Sequence, residues 1–192
     1  MNTTAASATE STKTTQWQID PAHSAAQFSV RHLMISNVRG QFNKLSGSVT
    51  INPTDPSKSK VEVTIDAASI NTREPQRDEH LRSADFFDVA QHPALTFRST
   101  RVEAHGADEF KVTGQLTIHG VTKEVTLDVE GPTPTVKDPW GNIRAGVTAS
   151  TKINRKDFGL VWNAVTEAGG VVVGEDIKIT IEAELIQQAP AA

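Results

Sequence analysis

Residues 77–88 read RDEHLRSADFFD: seven ionisable side chains among twelve, with two phenylalanines side by side near the end. His80, with Asp78, Glu79 and Asp85 close by, is a set that could move protons, because an imidazole titrates near neutrality and a carboxylate can orient it. Proton transfer alone does not make an active site. No nucleophile and no oxyanion donor accompanies the cluster, so no catalytic residue is assigned. The plainer reading is a wet helix face carrying Asp78 and Arg82 as an exposed i, i+4 pair worth about 0.3–0.5 kcal/mol. The other histidines, His23, His32, His92, His105 and His119, are scattered. None share helical metal-ligand spacing, although His80 and His92 are left to meet partners in space. His105 and His119 fall in turns and are expected to be structural. No metal ligand and no cofactor is assigned.

Other chemistries are excluded more firmly. The chain has no cysteine, which removes disulfides, zinc–thiolate sites, iron–sulfur clusters and thiol nucleophiles. It lacks G-x-S-x-G, H-E-x-x-H, the P-loop and G-x-G-x-x-G. The glycines of GGVVVG at residues 169–174 lack that last spacing and read as a flexible hairpin. A net charge of −4 argues against nucleic-acid binding. No apolar run is long enough to span a bilayer, so stable membrane insertion is not expected, while transient membrane contact is left open.

These residues must be held by something. The 192 residues, 37% of them hydrophobic, suit one domain with a real core. Residues 1–15 are small, polar and aperiodic and are expected to form a disordered tail. Residues 16–188 form a single domain, and 189–192 a short C-terminal tail. No apolar leader segment is visible, so the chain as written is expected in the cytoplasm, with a periplasmic or secreted setting as the alternative if a leader was removed. A homodimer is left open.

Inside the domain, apolar and polar residues alternate with period two. Val61, Val63 and Ile65 share a face, as do Phe110, Val112, Leu116 and Ile118. Val125, Leu127 and Val129 form a third such set, and Ile177, Ile179, Ile181 and Leu185 a fourth. Weaker alternation marks residues 28–32, 41–51, 94–102 and 144–153. Turn residues separate these runs at NPTDPSK, AHGADE and HGVTK, the last suiting a tight hairpin. About eight strands with almost no helix between them imply an antiparallel barrel or sandwich. The single helix covers the opening stretch. Asn71 or Thr72 is placed to cap it, Pro75 falls in its first turn, and Leu81 and Ala84 share a face. So short a helix is marginal alone and must dock, with Leu81, Ala84, Phe86 and Phe87 as its underside.

The aromatic inventory is unusual: seven Phe, three Trp and no Tyr. Phe28, Phe42, Phe86, Phe87, Phe97, Phe110 and Phe158 carry no hydroxyl that would need a partner in a dry interior. An eight-stranded barrel can fill itself with such rings or hold one small ligand among them. Composition leaves the two equal.

Four phrases taken together tip the balance. WQIDPAHSAAQFSVRHLMISNVRGQF from Trp17, SINTREPQRDEHLRSADFFDVAQHPALTFRST from Ser69, GQLTIHGVTKEVTL from Gly114 and INRKDFGLVWN from Ile153 resemble the YceI-like family of polyisoprenoid-binding, lipocalin-like proteins. The resemblance implies an all-β, lipocalin-like antiparallel barrel of about eight strands around a long apolar cavity, with one short helix near its end. It also implies a non-enzymatic role in binding and carrying an isoprenoid-tailed or other long-chain lipid, such as a quinone. On this reading the cavity is lined by Phe28, Val30, Phe42, Val63, Ile65, Leu81, Phe86, Phe87, Phe97, Leu116, Ile118 and Phe158. Arg155, Asp157 and Trp162 are candidate head-group contacts near the mouth, with a structural strand-end network as their alternative. His32, beside Arg31, is a further head-group candidate. Two other functions stay open: an enzyme acting on an amphipathic substrate, with His80 or His32 as base, and a filled β-sandwich interaction module.

Physical chemistry constrains the carrier reading. Burial of one CH₂ is worth about 0.8 kcal/mol, hence roughly 3–4 kcal/mol for a five-carbon isoprene unit. A membrane offers the tail the same gain, so selectivity must come from cavity length and head-group contacts, and exchange from a lid.

Overall fold

The alternating runs become a closed antiparallel ladder in the computed structural model, which describes residues 13–165 and 170–189. In chain order the elements are β1 (Thr15–Ile19), β2 (Ala25–His32), β3 (Ser36–Phe42), β4 (Leu45–Ile51), β5 (Lys60–Asp66), β6 (Ile70–Asn71), α1 (Pro75–Arg82), β7 (Ala94–Ala104), β8 (Glu109–Ile118), β9 (Val121–Glu130), β10 (Val136–Lys137), β11 (Ile143–Asn154) and β12 (Val173–Gln187).

Eight staves close the ring. β12 registers against β11 from Asp176 to Ile186. Its other edge carries β1 opposite Leu185–Gln187 and β2 further along, opposite Val173 and Ile177–Glu182. β1 and β2 thus lie end to end as one broken stave. β4 and β3 pair with them as the next, and β5 and β6 as the one after. β7, β8, β9 and β11 complete the circuit, and the ladder returns to β12. Closure leaves the barrel wall no free edge.

The broken staves explain where the sequence misleads. The alternation over 41–51 is two strands, β3 and β4, because the chain turns a corner at Asn43 and Lys44. β1 begins at Thr15, inside the expected tail, since a five-residue strand with two inward positions gives too little period to detect. Residues 1–12 and 190–192 lie outside the described residues. Val173 and Gly174 of the GGVVVG phrase form the start of β12, not a flexible hairpin; Gly169 lies outside the described residues. HGVTK does form a tight hairpin: His119 and Gly120 both take positive φ, 51° and 73°, as the two-residue turn between β8 and β9 requires.

The opening stretch is a helix, and its charges are only partly a wet face: Arg77, Glu79 and Asp85 are exposed, but Asp78 is not. Glu74 occupies the N-cap, and its side chain accepts from the Gln76 N–H, so neither Asn71 nor Thr72 caps it. Asp78 is buried and does not pair with Arg82. It accepts from the backbone N–H and the hydroxyl of Thr72 at 2.8 and 2.5 Å. Arg77 donates to the Thr72 hydroxyl and carbonyl at 2.8 and 3.0 Å. Arg82 donates to the carbonyls of Ala68 and Ile70, each at 2.8 Å. The helix is stapled to the backbone that precedes it, and Ala84, beyond its end, is exposed rather than docked.

A second polar network secures the break between β1 and β2. Asp20 donates its N–H to the Glu184 carbonyl at 2.8 Å, and the Ser24 hydroxyl accepts from the Glu184 N–H at 3.0 Å. Arg144 reaches Asp20 and Asp138 at 2.6 Å each and also pairs with Glu184. His23 adds a contact to Asp20 at 2.9 Å. Hydrogen bonds from His23 and Arg144 hold the Asp20 carboxyl far below its ordinary range. Burial alone would raise Asp138, but donors from Arg144 and Asn142 outweigh it and hold that carboxyl low as well.

A carboxyl depressed on folding contributes stability that is present above its unfolded value, about 3.9, and is lost as pH falls through the folded value. Arg144→Met is therefore expected to lower the melting temperature most near neutral pH, with the penalty shrinking in strong acid. Thermal melts of parent and variant from about pH 7 to about pH 2 read this directly. A penalty independent of pH would mean that the guanidinium acts only by packing.

A lipid-sized apolar cavity behind a stapled helix

The ring encloses a cavity of about 660 Å³. Phe28 and Val30 of β2, Phe42 of β3, Val63 and Ile65 of β5, Phe97 of β7, and Leu116 and Ile118 of β8 stand on its wall. Leu81 of α1, Phe86, Phe87 and Phe158 join them at the helix end. The strict alternation of each strand places these side chains inward while their neighbours meet water. Ile177, Ile179 and Ile181 of β12 and Val125, Leu127 and Val129 of β9 complete the wall. Their alternation is visible in the sequence, and their apolar faces are the ones that turn inward. Ile70, Ile153 and Leu160 also line the helix end. At the opposite end the wall passes to loop residues, among them Pro53, Pro56, Asp108 and Pro132.

The adjacent rings after α1 divide their contacts. Phe87 meets Phe42 edge-on, with centroids 5.6 Å apart, and Phe42 in turn touches Phe28 at 5.9 Å. Phe86 is buried and meets Trp162 at 5.3 Å. Trp162 is not among the residues on the cavity wall and packs against Phe86 instead. His80 completes this cluster, edge-on to Phe86 at 5.2 Å and to Trp162 at 4.8 Å. Its Nε2 lies 2.8 Å from Asp85 Oδ2. The histidine that opened the question of acid–base chemistry is part of a clasp and does not line the cavity.

The remaining head-group candidates separate sharply. The NRKDFG phrase is a strand-end turn: Asn154 accepts from the Lys156 N–H at 2.9 Å, and Gly159, at φ 77°, ends the turn in the left-handed region. This throws Arg155 and Phe158 inward and leaves Asp157 exposed. His32 continues the inward face of Phe28 and Val30 but falls at the end of β2, beyond the wall. Arg155 alone of the four lines the cavity. It is 3% exposed and spends its donors on backbone carbonyls: Gly174 at 2.8 Å, Val173 at 3.4 Å, and Leu160. Burial pushes its guanidinium pKa down, against the opposing pull of Glu175. Its first duty is to tie the start of β12 to the end of β11.

Two histidines meet where the sequence placed none together. His92, in the loop before β7, and His119, of the β8–β9 turn, have ring centroids 4.7 Å apart, with Asp88 beside them. The Asp20, His23 and Glu184 cluster also brings three ligand-type atoms together, but Arg144 already supplies the cation there.

A closed eight-stranded antiparallel barrel with an apolar interior and a short helix at one end is a lipocalin-like barrel. Residues 17–185 match the model of the YceI-like domain, and the chain belongs to the YceI-like family. It is 41% identical over 170 residues to Protein YceI of Salmonella newport, covering 86% of this chain and 83% of that one. A solved Campylobacter jejuni YceI protein superposes with a TM-score of 0.69 at 34% identity, over 83% of this chain and 90% of that one. A polyisoprenoid binding domain from Saccharophagus degradans shares the fold, with a TM-score of 0.63 at 22% identity over 91% of this chain and 98% of that one.

Arg155→Met is expected to destabilise the barrel, because each buried carbonyl left without a donor costs about 1–3 kcal/mol. Arg155→Lys should rescue little, since a point charge cannot serve carbonyls at three positions as a planar fork does. Urea unfolding of both variants checks this. Wild-type stability in Arg155→Met would return the side chain to ligand contact alone.

Proposed function

We propose that the barrel is a non-enzymatic carrier or store for a long-chain lipid with an isoprenoid tail, such as a polyprenyl quinone. The observation that carries this reading is the cavity: about 660 Å³, walled by aliphatic and phenyl side chains, and reaching from α1 to the loops at the far end. That volume falls among those of small-molecule sites, roughly 300–1,000 Å³. The Saccharophagus degradans domain described as polyisoprenoid binding lends its fold to the same reading. Of the two bases considered for an enzyme, neither His80 nor His32 stands on the wall.

Exchange requires an opening and a place to dock. The segment from α1 to Phe87 is the cover, held by polar staples on one side and by Phe42 and Trp162 on the other. Beside it, Met34 and Ile35 of the β2–β3 turn are 56% and 78% exposed, and Val161 and Val165 of the Trp162 loop 63% and 76%. The Leu33 N–H donates to the Val172 carbonyl at 2.8 Å, which joins turn and loop into one apolar surface. With a net charge of −4 on the chain, contact with a lipid surface would rest on this patch rather than on electrostatic attraction. No helix among the described residues is long and apolar enough to cross a membrane.

Mass spectrometry of an organic extract of the purified protein tests the proposal: a retained isoprenoid supports it, and a clean extract from protein purified without detergent argues against it. Turnover of the retained lipid would favour an enzyme. Phe86→Ala and Phe87→Ala are expected to speed transfer of a fluorescent isoprenoid to vesicles, since phenylalanine truncation in a packed site costs about 3–5 kcal/mol. Most of that loss should appear as local opening, leaving the β-rich circular dichroism intact. Ile35→Asp should slow transfer without changing lipid content. Transfer at the parent rate in all three would remove both lid and patch from the account.

A further inference from the structure

We propose that Asp88, His92 and His119 bind a divalent transition metal ion, and that the ion clasps the cavity cover to the β8–β9 hairpin. One ligand atom from each residue lies within 4.8 Å of the other two. All three residues are half-buried. Among the described residues, no side chain hydrogen-bonds to or ion-pairs with their carboxylate or imidazole nitrogens. His23 and His80, by contrast, each hold a carboxylate. Convergent ligand atoms that no side chain hydrogen-bonds or ion-pairs are what a metal site looks like before it is filled.

The backbone is shaped to bring them together. Asp88 sits at φ 44° and His119 at φ 51°, conformations that non-glycine residues adopt sparingly. The Asp88 carbonyl accepts from the N–H groups of Gln91 and His92 at 2.9 and 2.8 Å, so a single turn sets Asp88 and His92 side by side. At Gly120 a Cβ would lie 2.7 Å from His92 Cε1. The hairpin therefore needs glycine there for the His92 ring to rest against it. Left-handed residues gathered at one place suggest function.

The donor set selects the ion class. Two imidazoles and one carboxylate suit Zn²⁺, Co²⁺, Ni²⁺ or Cu²⁺, whereas Mg²⁺ and Ca²⁺ want an all-oxygen shell. Metal–ligand distances of about 2.0–2.2 Å place tetrahedral ligand atoms about 3.3 Å apart. The three side chains must then close by at most about 1.5 Å, which rotation about χ1 and χ2 can supply. Water would complete the shell on the exposed side.

The ion's position gives it a consequence, one that rests on the lid reading above. Asp88 directly follows Phe86 and Phe87, and His119 belongs to the turn that joins two strands of the barrel wall. A metal shared between them disfavours the open cover by a factor of about 1 + [M]/Kd, near 100-fold when free metal is about 100 times Kd.

Calorimetric titration of chelator-treated full chain with ZnCl₂ is the first test, with Co²⁺ absorption reporting the geometry. One equivalent is expected, with intense visible Co²⁺ bands. His119→Asn keeps a residue that tolerates the left-handed turn but removes a ligand, and together with Asp88→Asn it should weaken binding at least about tenfold. His92→Ala serves as a third variant where its circular dichroism matches the parent. His23→Gln should bind as the parent does. Equal affinity in parent and His119→Asn, or loss of binding in His23→Gln, overturns the site. Amide hydrogen exchange over residues 81–92 tests the clasp without any lipid. Zn²⁺ should slow it in the parent and not in His119→Asn, and unchanged exchange at saturating Zn²⁺ overturns the clasp even where the metal binds.

Discussion

The seam between β11 and β12 is the pairing on which everything else depends. These strands register over eleven consecutive pairs, from Arg144 opposite Ile186 to Asn154 opposite Asp176. Without it the chain would be an open, twisted sheet with an apolar face too large to leave wet. With it, every inward position of every stave looks into the same enclosed space. The two polar groupings that required explanation sit at the two ends of this seam. Arg144 gathers Asp20, Asp138 and Glu184 at one end. At the other, Arg155 holds the first carbonyls of β12. Guanidinium groups suit both tasks, since each must serve several oxygens at once from a fixed plane.

Closure at eight staves also sets what the interior can be. A ring of this size is just wide enough either to be filled by side chains or to admit a ligand. Here the filling is uneven. At the helix end Phe42, Ile70, Leu95, Ile118, Phe158 and Leu160 cluster tightly, while a separate cluster around Phe97, Val112 and Leu127 lies further along the wall. Phenylalanine at the inward ring positions brings no hydroxyl that would demand a partner, as a tyrosine would.

Much of this was legible in the residues. Period-two alternation located the long strands, because one face of each meets water and the other does not. It failed where geometry breaks the period: at the corner between β3 and β4, and in β1, which is too short. The cavity positions Phe28, Val63, Phe97 and Leu116 could be named because alternation and resemblance agree on them. His32 and Trp162 do not stand on the cavity wall, for different reasons. His32 keeps the inward phase but runs past the wall, which a local pattern cannot know. Trp162 is held by rings from a segment some eighty positions earlier in the chain. The meeting of His92 with His119 was invisible for the same reason, as it depends on how a loop and a hairpin pack.

The charged stretch shows most plainly why composition alone misjudged this site. A run rich in Arg, Asp and His reads as a solvated face, because exposed charges are cheap and buried ones are not. Yet Asp78 is buried, with Thr72 as its partner, and Arg77 and Arg82 are turned onto carbonyls of the preceding chain. A helix of eight residues has too few turns to be stable alone and only a narrow apolar underside. Apolar docking by Leu81, Phe86 and Phe87 gives it affinity for the barrel but little direction. The hydrogen bonds to Thr72, Ala68 and Ile70 supply the direction. Direction from polar staples and affinity from apolar docking together fix where so short a helix sits.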